Sequence, residues 1–273
     1  MRLDSPYLDP QVASAYERLA APSQFATPAR DLVALLDVPP GATVLDVGSG
    51  TGVVATALAE AVGARGNVVA VDPSAAMLRA AGHQLSRQRV VARTPGLPFR
   101  DDAFDAVAAS FVISHLASYA DGLADMIRIC KAAGRIGVTA WGTLPNPAGA
   151  LWKQVASTIE GSERLGDAFR SAIPWDEWFS SAVHLERALR EAHLARVTVV
   201  TRELVVSVAT DDYIAMKGAT VEGTLLRRLL DAERWDRFTR DVTTAFRMQF
   251  GDVVEFVRDF SIGIGTKDIR ESE

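Results

Sequence analysis

Apolar runs of strand length alternate with longer segments of helical character in the first half of the chain. Short β-prone or apolar runs occupy 44–47, 67–71 and 104–109, and segments of helical character occupy 53–62 and 119–130. Strands that alternate with helices in this way indicate βαβ units. The pattern therefore predicts an α/β protein.

The second half of the chain predicts the remaining strands of the sheet. Strands are expected at 135–141, 195–208 and 253–266, and a crossover helix is expected at 184–193. The last two of these strands are separated by a long helical stretch, so we do not expect them to form a hairpin with a short turn.

Three further stretches fall outside the predicted sheet. Two helical insertions are expected at 146–179 and 211–250. Before the first strand, the pattern predicts one helix at 9–19 and another at 27–36, divided by Pro22. These stretches predict helical layers added to a central α/β sheet.

Composition and charge exclude several classes of protein. The 273-residue chain is 48% hydrophobic and 23% charged, which is ordinary for a globular domain. A net charge of −5 without a basic run argues against a nucleic-acid surface. The single cysteine, Cys130, excludes an internal disulfide and a multi-cysteine zinc site. Without an apolar signal core or membrane-length apolar stretch, we expect a cytoplasmic protein with no membrane partner, and we leave open a homodimer.

A glycine-rich loop after the first predicted strand carries the most specific chemical signal. Residues 44–52 read Val-Leu-Asp-Val-Gly-Ser-Gly-Thr-Gly, and a predicted helix follows them. Glycines permit a tight turn and a close approach of the backbone to a ligand, and the free N–H groups of a helix N-terminus favour an anionic group. Strand, glycine turn and helix together predict a cofactor cradle.

Two features separate this loop from a dinucleotide-binding fingerprint. Asp46 is a carboxylate where an apolar strand residue is usual, and Val53 stands where G-x-G-x-x-G needs its third glycine. The spacing G-x-G-x-G after an acid resembles the first motif of class I S-adenosylmethionine-dependent methyltransferases. The resemblance implies that S-adenosylmethionine is bound by the loop residues Asp46, Gly48, Ser49, Gly50 and Gly52.

A second acidic residue ends the next predicted strand. Asp72 lies 20 residues after Gly52, and a carboxylate there can accept hydrogen bonds from both ribose hydroxyls of a cofactor. Nicotinamide-dependent enzymes use an acid at about the same distance, so the spacing alone leaves the cofactor open. The continuation resembles the D-x-S-x-x-M-L run of the methyltransferases, which implies that Pro73 and Met77 pack near the adenine. The alternative is a proline that starts a helix and a methionine of the core.

A third segment resembles the same family but also departs from it. Residues 97–107 read L-P-F-R-D-D-A-F-D-A-V, similar to the family's L-P-F-x-D-x-x-F-D-x-V. Family members often carry an acid four positions earlier, where it accepts from the adenine amino group, and this chain has Arg93 there. Arginine has no acceptor, so we expect backbone groups around Arg93 and Thr94 to bind the adenine.

His115 is the candidate catalytic base. It lies in the run 110–116, Ser-Phe-Val-Ile-Ser-His-Leu, which is similar to the family's fourth motif. This run leaves the sheet at the edge where α/β folds bind ligands, and we expect its Ser110 to contact the cofactor. Histidine can take a proton near neutral pH. A purely structural hydrogen-bonding role is the alternative for His115.

Aromatic residues are concentrated in the second half of the chain, where 13 of the 20 lie from position 141 onward. Aromatic side chains outside a sheet core often line apolar pockets. Trp175 and Trp178 also have the i, i+3 spacing of a helix stripe that faces a core, which is the alternative for them. The predicted substrate pocket contains His115, Trp141, Trp175, Trp178 and Phe179.

The resemblance implies a single methyltransferase domain over residues 1–273. Its fold would be Rossmann-like, with a seven-stranded sheet of order 3-2-1-4-5-7-6, strand 7 antiparallel, and helices on both faces. Tyr16 lies in Ala-Tyr-Glu-Arg-Leu-Ala, which resembles a segment that folds over the cofactor in related enzymes, and it would contact the cofactor or only pack. The expected parts are an N-terminal helical lid at 1–40, a cofactor-binding core at 41–142, and a helical cap from 143–180 and 209–250.

The implied reaction is direct in-line transfer of a methyl group from S-adenosylmethionine to an O, N or C atom of a small apolar or aromatic metabolite. The protein then needs mainly to orient the acceptor and to exclude water. We expect no metal, because no cluster of ligands has metal-binding spacing. Two alternatives remain: an NAD(P)-dependent oxidoreductase, which would share the loop and Asp72, and a non-catalytic S-adenosylmethionine-binding protein.

Overall fold

A seven-stranded sheet forms the centre of the molecule. The computed structural model describes residues 6–81, 88–159 and 163–269. The strands are β1 (Thr43–Val47), β2 (Asn67–Asp72), β3 (Gln88–Val91), β4 (Phe104–Ser110), β5 (Cys130–Trp141), β6 (Leu194–Ala209) and β7 (Val253–Lys267). Their spatial order is β3-β2-β1-β4-β5-β7-β6. This confirms the predicted order.

The first five strands are parallel, and the last strand of the chain is inserted between two earlier ones. β1 pairs in parallel with β2 and β4, β2 with β3, and β4 with β5. β7 is antiparallel to both β5 and β6, as predicted for the seventh strand. Because parallel strands end at one edge of the sheet, the loops after β1, β2 and β4 meet there.

Helices lie on both faces of the sheet. One of them is a single turn that lies beside β5. The helices are α1 (Pro10–Ala15), α2 (Ala26–Leu36), α3 (Val53–Val62), α4 (Ala75–Ala80), α5 (Tyr119–Ile129), α6 (Pro147–Ser157), α7 (Glu163–Ala172), α8 (Asp176–Phe179), α9 (Ala182–Glu191), α10 (Thr210–Gly218), α11 (Val221–Leu229) and α12 (Ala232–Phe250).

The N-terminal segment is a continuous helical stretch rather than two helices divided by a proline. Helix α1 runs into a π-helical segment, Tyr16–Phe25, which runs into α2. Pro22 lies inside the π-helical segment. A π-helix is wider than an α-helix and bonds each residue to the fifth one along, and this change of pitch accommodates a residue without an N–H. The break predicted at Pro22 is therefore wrong.

Successive residues of the central strands point to opposite faces and build two hydrophobic cores. Val44 and Ala106 pack in a core with α2, α3, α6, α10 and α12. Leu45 and Val107 pack in a second core with α5 and α9. This alternation follows from the two-residue period of a strand. The central strands β1 and β4 are thus buried on both faces.

Most helices formed by the stretches predicted as insertions pack on the first core, whereas α8 packs on the second. Trp152 of α6 meets Phe238 of α12 edge to face, with ring centroids 5.0 Å apart. Tyr213 of α10 packs against Phe246 of α12 at 5.6 Å. These helices stand beside β7 and cover the end of the sheet where the central loops meet. Within the described ranges, no helix has the length and apolar character needed to cross a bilayer.

Candidate functional site

The loop after β1 is compact and needs its glycines. Gly48, Gly50 and Gly52 have φ values of +66°, +55° and +91°, in the left-handed region that favours glycine. A Cβ on Gly48 would lie 2.4 Å from Cγ2 of Val112. The N–H of Ser49 donates to the carbonyl of β2 residue 71 at 2.9 Å. The loop is therefore fixed between the ends of β1, β2 and β4.

Asp46 lies beneath this loop rather than along the cavity described below. It is 1% exposed. Burial raises the pKa of its carboxyl group well above the ordinary value, while a hydrogen bond from the backbone N–H of Ala55 acts in the opposite direction. Ala55 is in the first turn of α3, so Asp46 connects β1 to the helix that follows the loop.

Asp72, at the end of β2, holds the same loop by hydrogen bonds. Its Oδ2 accepts from the N–H of Gly50 at 2.9 Å, and its Oδ1 accepts from the N–H of Ser74 at 2.7 Å. Burial raises the pKa of Asp72, and these two N–H groups oppose the shift. A carboxylate has about four acceptor sites, so Asp72 retains capacity for the ribose hydroxyls of a cofactor.

Unpaired polar atoms around the loop test whether S-adenosylmethionine fits. Asp46 Oδ2, Ser49 Oγ and Thr51 Oγ1 are buried and have no hydrogen-bond partner among the residues that the structure describes. Buried polar atoms are costly to leave unpaired. These three atoms lie behind the cavity lining, whereas Gly48, Gly50 and Asp72 line it. The lining residues fit S-adenosylmethionine through the carboxylate of Asp72, which suits a ribose, and through the glycines, which leave room for the amino-acid part.

Residues at the end of β2 and after β3 form the proposed adenine end of the site. Pro73, Met77, Arg93 and Thr94 all line the cavity. Met77 is 4% exposed, and its N–H is capped by Ser74 Oγ at 3.1 Å. The Thr94 hydroxyl lies 3.2 Å from the carbonyl of residue 122 and donates to it. The side chain of Thr94 is thus occupied by the protein, which leaves backbone groups to contact adenine.

Asp125 of α5 shapes this adenine end, although the sequence did not single it out. Its Oδ2 accepts from the N–H groups of Gly96 and Leu97 at 2.7 and 2.9 Å, and Arg128 pairs with its Oδ1 at 2.8 Å. Burial opposes ionisation of Asp125, but the N–H of Leu97 and the Arg128 guanidinium outweigh it and lower its pKa. The acid therefore acts on the loop from α5, in a part of the chain without a motif signal.

His115 lies at the carboxyl edge of the sheet and lines the cavity. It ends a short 3-10 turn, Ile113–His115, that follows β4. Tyr7 approaches its ring edge-on, with ring centroids 6.5 Å apart. Burial lowers the pKa of His115 to about 4. The imidazole is therefore neutral near pH 7, and it is a weaker base than an exposed histidine.

We expect His115 to make the protein less stable as the pH falls from about 6.5 toward 4. With a folded-state pKa of about 4, the folded protein binds fewer protons than the unfolded chain across this window. Relative to His115→Gln, the free energy of unfolding of the natural protein should fall by roughly 1 to 3 kcal/mol, as measured by urea unfolding. Asp46 and Asp72 have raised pKa values and act oppositely, but both proteins share them. A difference that stays constant with pH would contradict a buried neutral imidazole.

Two tyrosines of the N-terminal segment lie over the cofactor side of the cavity. Tyr7 and Tyr16 pack edge to face with centroids 6.1 Å apart, and both line the cavity. The Ser74 hydroxyl donates to the carbonyl of Tyr7. Burial raises the pKa of Tyr7 to about 12 and raises that of Tyr16 also. Both phenols are therefore neutral, and the segment is tied to the residues that follow Asp72.

Three aromatic rings form a continuous surface of the cavity that adjoins Tyr16, which stacks on Phe25 with ring centroids 5.2 Å apart. Phe111 and Trp141 stack with centroids 4.0 Å apart, and Phe25 meets them at 5.4 and 5.7 Å. Phe111 has a φ of +55°, which is uncommon for a bulky residue and marks local strain. Its N–H donates to Thr139 Oγ1 at 3.0 Å. We call Phe25, Phe111 and Trp141 the aromatic wall; of these, only Trp141 was predicted from the sequence.

One cavity of about 580 Å³ joins the glycine loop, the N-terminal tyrosines and the aromatic wall. Ser110 lies between the loop and the wall, with its hydroxyl 2.9 Å from Thr139 Oγ1. The sequence-predicted residues that line the cavity are Tyr16, Gly48, Gly50, Asp72, Pro73, Met77, Arg93, Thr94, Ser110, His115 and Trp141.

Three predicted pocket aromatics lie elsewhere. Trp175 and Phe179 pack edge to face on Tyr119 of α5 at 4.8 and 5.0 Å, and Phe179 is fully buried. Trp178 stacks on His184 with centroids 3.7 Å apart. All three belong to the packing of the second core. The structure thus corrects their predicted place, because the i, i+3 stripe faces a core and not the cavity. Ser49 and Gly52 are likewise set back from the lining, in the turn itself.

Comparisons with known proteins agree with this geometry. Residues 45–138 match the methyltransferase domain family. The chain is 40% identical to a demethylmenaquinone methyltransferase of Corynebacterium urealyticum over 40% of this chain and 45% of that protein. It is 36% identical to a ubiquinone/menaquinone biosynthesis C-methyltransferase of Stenotrophomonas maltophilia over 39% of this chain and 45% of that protein. The chain thus spans about half the length of the curated relatives it matches.

The similarity of the fold to a solved structure covers more of this chain than the family match at residues 45–138 does. The crystal structure of the YcgJ protein from Bacillus subtilis superposes with a TM-score of 0.54 at 17% identity, covering 89% of this chain and 99% of that one. At this identity the likeness concerns the fold alone. The glycine loop, Asp72 and the strand order agree with this match, and lead to one conclusion: residues 45–138 form a domain of the methyltransferase family.

Proposed function

We propose that this chain transfers the methyl group of S-adenosylmethionine to a carbon or oxygen atom of a small planar acceptor of the quinol type. The two relatives described above bear names that refer to methylation in menaquinone or ubiquinone biosynthesis. Their similarity covers mainly the cofactor-binding half. The acceptor class therefore depends on the shape and chemistry of the cavity as well as on these names.

The proposal rests on one observation: a single cavity extends from the glycine loop to the aromatic wall. Val112, whose side chain closes against Gly48, directly follows Phe111 of the aromatic wall. A ligand at the glycine loop and a planar molecule on the wall would therefore be neighbours. Stacking on aromatic rings favours a planar apolar acceptor, and a cavity of about 580 Å³ has the size of a small-molecule site.

The proposed reaction requires no covalent intermediate on the chain's own residues. S-adenosylmethionine supplies a methyl group that is already activated on a sulfonium sulfur. The aromatic wall would orient the acceptor, and the N-terminal segment would exclude water. The rings of Tyr7 and Tyr16 favour a positive charge at their faces. The neutral His115 would accept the proton that the acceptor loses.

The two alternatives make different predictions. An NAD(P)-dependent oxidoreductase is disfavoured, because the sequence relatives described above are methyltransferases. A non-catalytic binder would hold S-adenosylmethionine without producing S-adenosylhomocysteine. The distinguishing experiment incubates the protein with S-adenosylmethionine and one of three acceptors: a 1,4-naphthoquinol with a short prenyl chain, a catechol or a primary amine. We expect S-adenosylhomocysteine, detected by mass spectrometry, with the naphthoquinol. Cofactor binding without turnover of any acceptor would favour the non-catalytic alternative.

Replacing Trp141 with leucine should weaken acceptor use without weakening cofactor binding. Trp141 supports the Phe111 ring on one face and the Arg258 guanidinium on the other, and its loss would free both groups, so kcat/KM for the naphthoquinol should fall by about ten-fold or more. The dissociation constant of S-adenosylmethionine, measured by calorimetry, should stay within about two-fold, because Trp141 lies on the wall side. The matched control is Trp235→Leu in α12, whose ring packs on Phe238 away from the cavity lining. Equal losses in the two variants would argue against the wall as acceptor site.

A further inference from the structure

A single arginine stands at the aromatic wall. Arg258 of β7 lines the cavity, and its guanidinium carbon lies 3.2 Å from the centroid of the Trp141 ring. Its Nη1 donates to Gln24 Oε1 at 2.7 Å. The amide nitrogen of Gln24 is in turn 3.0 Å from the sulfur of Met216. A stack and a hydrogen bond therefore hold the guanidinium in one orientation.

The acidic residues nearby do not neutralise this guanidinium. Among the described residues, no carboxylate lies within 4.0 Å of Arg258. Glu222, which lines the same cavity, pairs instead with Lys153 at 3.2 Å and with Lys217. Asp176, which lines the cavity, and Asp259, which follows Arg258 in β7, interact with the charge of Arg258 only at longer range. The positive charge at the wall is thus left without a direct counter-ion.

An unpaired cation in such a place is costly unless a ligand compensates it. Burial lowers the pKa of Arg258 to about 10, so the group is still charged at neutral pH. A guanidinium has five N–H donors in a planar fork. Gln24 takes one of them, which leaves several donors at the edge of the wall for an oxygen anion.

We propose that the methyl acceptor carries an anionic oxygen, a carboxylate or a phenolate on a planar apolar skeleton, and that Arg258 binds this oxygen. This inference depends on the proposed function, because it adds a charge to the acceptor of the same cavity. Phe111 covers one face of Trp141 and the guanidinium covers the other, so a planar acceptor would lie beside Trp141 in the cavity, with its anionic oxygen at the free N–H groups of Arg258. A phenolate held in this way would donate electron density to the neighbouring ring carbon, which suits attack on a methyl group. The sequence-based expectation of a small apolar or aromatic acceptor is thereby refined.

Calorimetry with matched naphthalene probes tests the inference in the presence of saturating S-adenosylhomocysteine. We expect 2-naphthoate to bind about ten-fold or more tightly than its neutral analogue 2-naphthamide, because the charged oxygen alone pairs with Arg258. In Arg258→Met this preference should disappear, whereas the affinity for 2-naphthamide should change by no more than about two-fold. Arg258→Lys should retain part of the preference, since it keeps the charge but loses the planar fork.

A second probe distinguishes the two kinds of anion. If the natural acceptor is a phenolate, 2-naphthol should bind more tightly as the pH approaches its own ionisation range, in the natural protein and not in Arg258→Met. If only 2-naphthoate shows a preference, a carboxylate is indicated. The matched control is Arg202→Met on the neighbouring strand β6, which removes an exposed arginine and should change neither result.

Several results would overturn the inference. They are an absence of 2-naphthoate binding, equal affinity for 2-naphthoate and 2-naphthamide with no pH dependence for 2-naphthol, and a preference that survives in Arg258→Met. Binding of S-adenosylhomocysteine reports whether each variant is folded. If Arg258→Met loses that binding, the comparison of the natural protein with Arg258→Lys decides. Failure of the natural protein itself to bind S-adenosylhomocysteine would instead contradict the proposed function.

Discussion

Replacing Asp72 with alanine is expected to weaken S-adenosylmethionine binding by roughly 5- to 150-fold, or about 1 to 3 kcal/mol. The substitution removes the acceptor of two N–H groups, from Gly50 and Ser74, and the acceptor proposed for the ribose hydroxyls. Both losses act on the same ligand, because the N–H of Gly50 belongs to the loop that would hold its amino-acid part. Isothermal titration calorimetry measures the effect directly.

The matched control for this change is Asp105→Ala. Asp105 lies near the start of β4, where its Oδ2 accepts from the N–H of Thr43 at 2.8 Å. It is thus a strand carboxylate bound to a backbone N–H, but it stands at the opposite end of the sheet. We expect unchanged cofactor affinity in this variant. If Asp72→Ala bound S-adenosylmethionine as tightly as the natural protein, Asp72 would not bind the ribose, and its role would be limited to holding the N–H groups of Gly50 and Ser74.

Replacing Gly48 with alanine should damage both stability and cofactor binding. The new Cβ would lie 2.4 Å from Cγ2 of Val112, and φ of +66° is unfavourable for alanine. We expect the free energy of unfolding to fall by about 2 to 4 kcal/mol. The affinity for S-adenosylmethionine should fall by about ten-fold or more, because relief of the clash must displace the loop.

Gly63 provides the comparison that separates backbone strain from the clash. It has the same φ of +66°, but a Cβ there would meet no atom within 4 Å. With ψ of −171°, Gly63 lies in a region that is essentially restricted to glycine, so Gly63→Ala should cost about 1 to 3 kcal/mol of unfolding free energy and leave cofactor affinity unchanged. Chemical denaturation and calorimetry on the two variants give both quantities. If Gly48→Ala and Gly63→Ala had equal effects on stability and on cofactor binding, the side chain of Val112 would have to move aside without displacing the loop.

The cofactor half of the site was predictable because its chemistry is local in sequence. The run from Asp46 to Gly52 contains the turn, its glycines and its acid within a few residues, and Asp72 follows at the end of the next strand. Such motifs need no knowledge of tertiary contacts. The parallel strands were predictable for the same reason, since each is a short apolar run bounded by turn residues.

The proposed acceptor half was not predictable, because its residues come together only through tertiary packing. Gln24 and Arg258 are 234 positions apart, and no spacing rule joins them. Phe111 turns toward Trp141 through a backbone conformation that sequence patterns do not indicate. Trp175 and Trp178 illustrate the opposite problem. They looked suitable for a pocket, but their helical stripe faces a core.

The position of Asp125 accounts in part for the departure from the family pattern at Arg93. Arg93 occupies the position where related sequences often have an acid. In the structure, an acid supplied by α5 instead holds the N–H groups of Gly96 and Leu97. A carboxylate in that role orders the loop after β3 without contacting adenine itself. Sequence comparison at one position could not reveal this, because the compensating group is about 30 positions away on another element.

The place of β7 in the sheet has a consequence for the order in which the site can form during synthesis. β7 is the last strand in the described chain, yet it lies between β5 and β6. Until the ribosome has released it, β5 and β6 each lack this partner, whereas β1 to β4 can already pair. Arg258 arrives with that final strand. A nascent chain could therefore assemble its cofactor loop early, but the acceptor chamber would close only when the last strand enters the sheet.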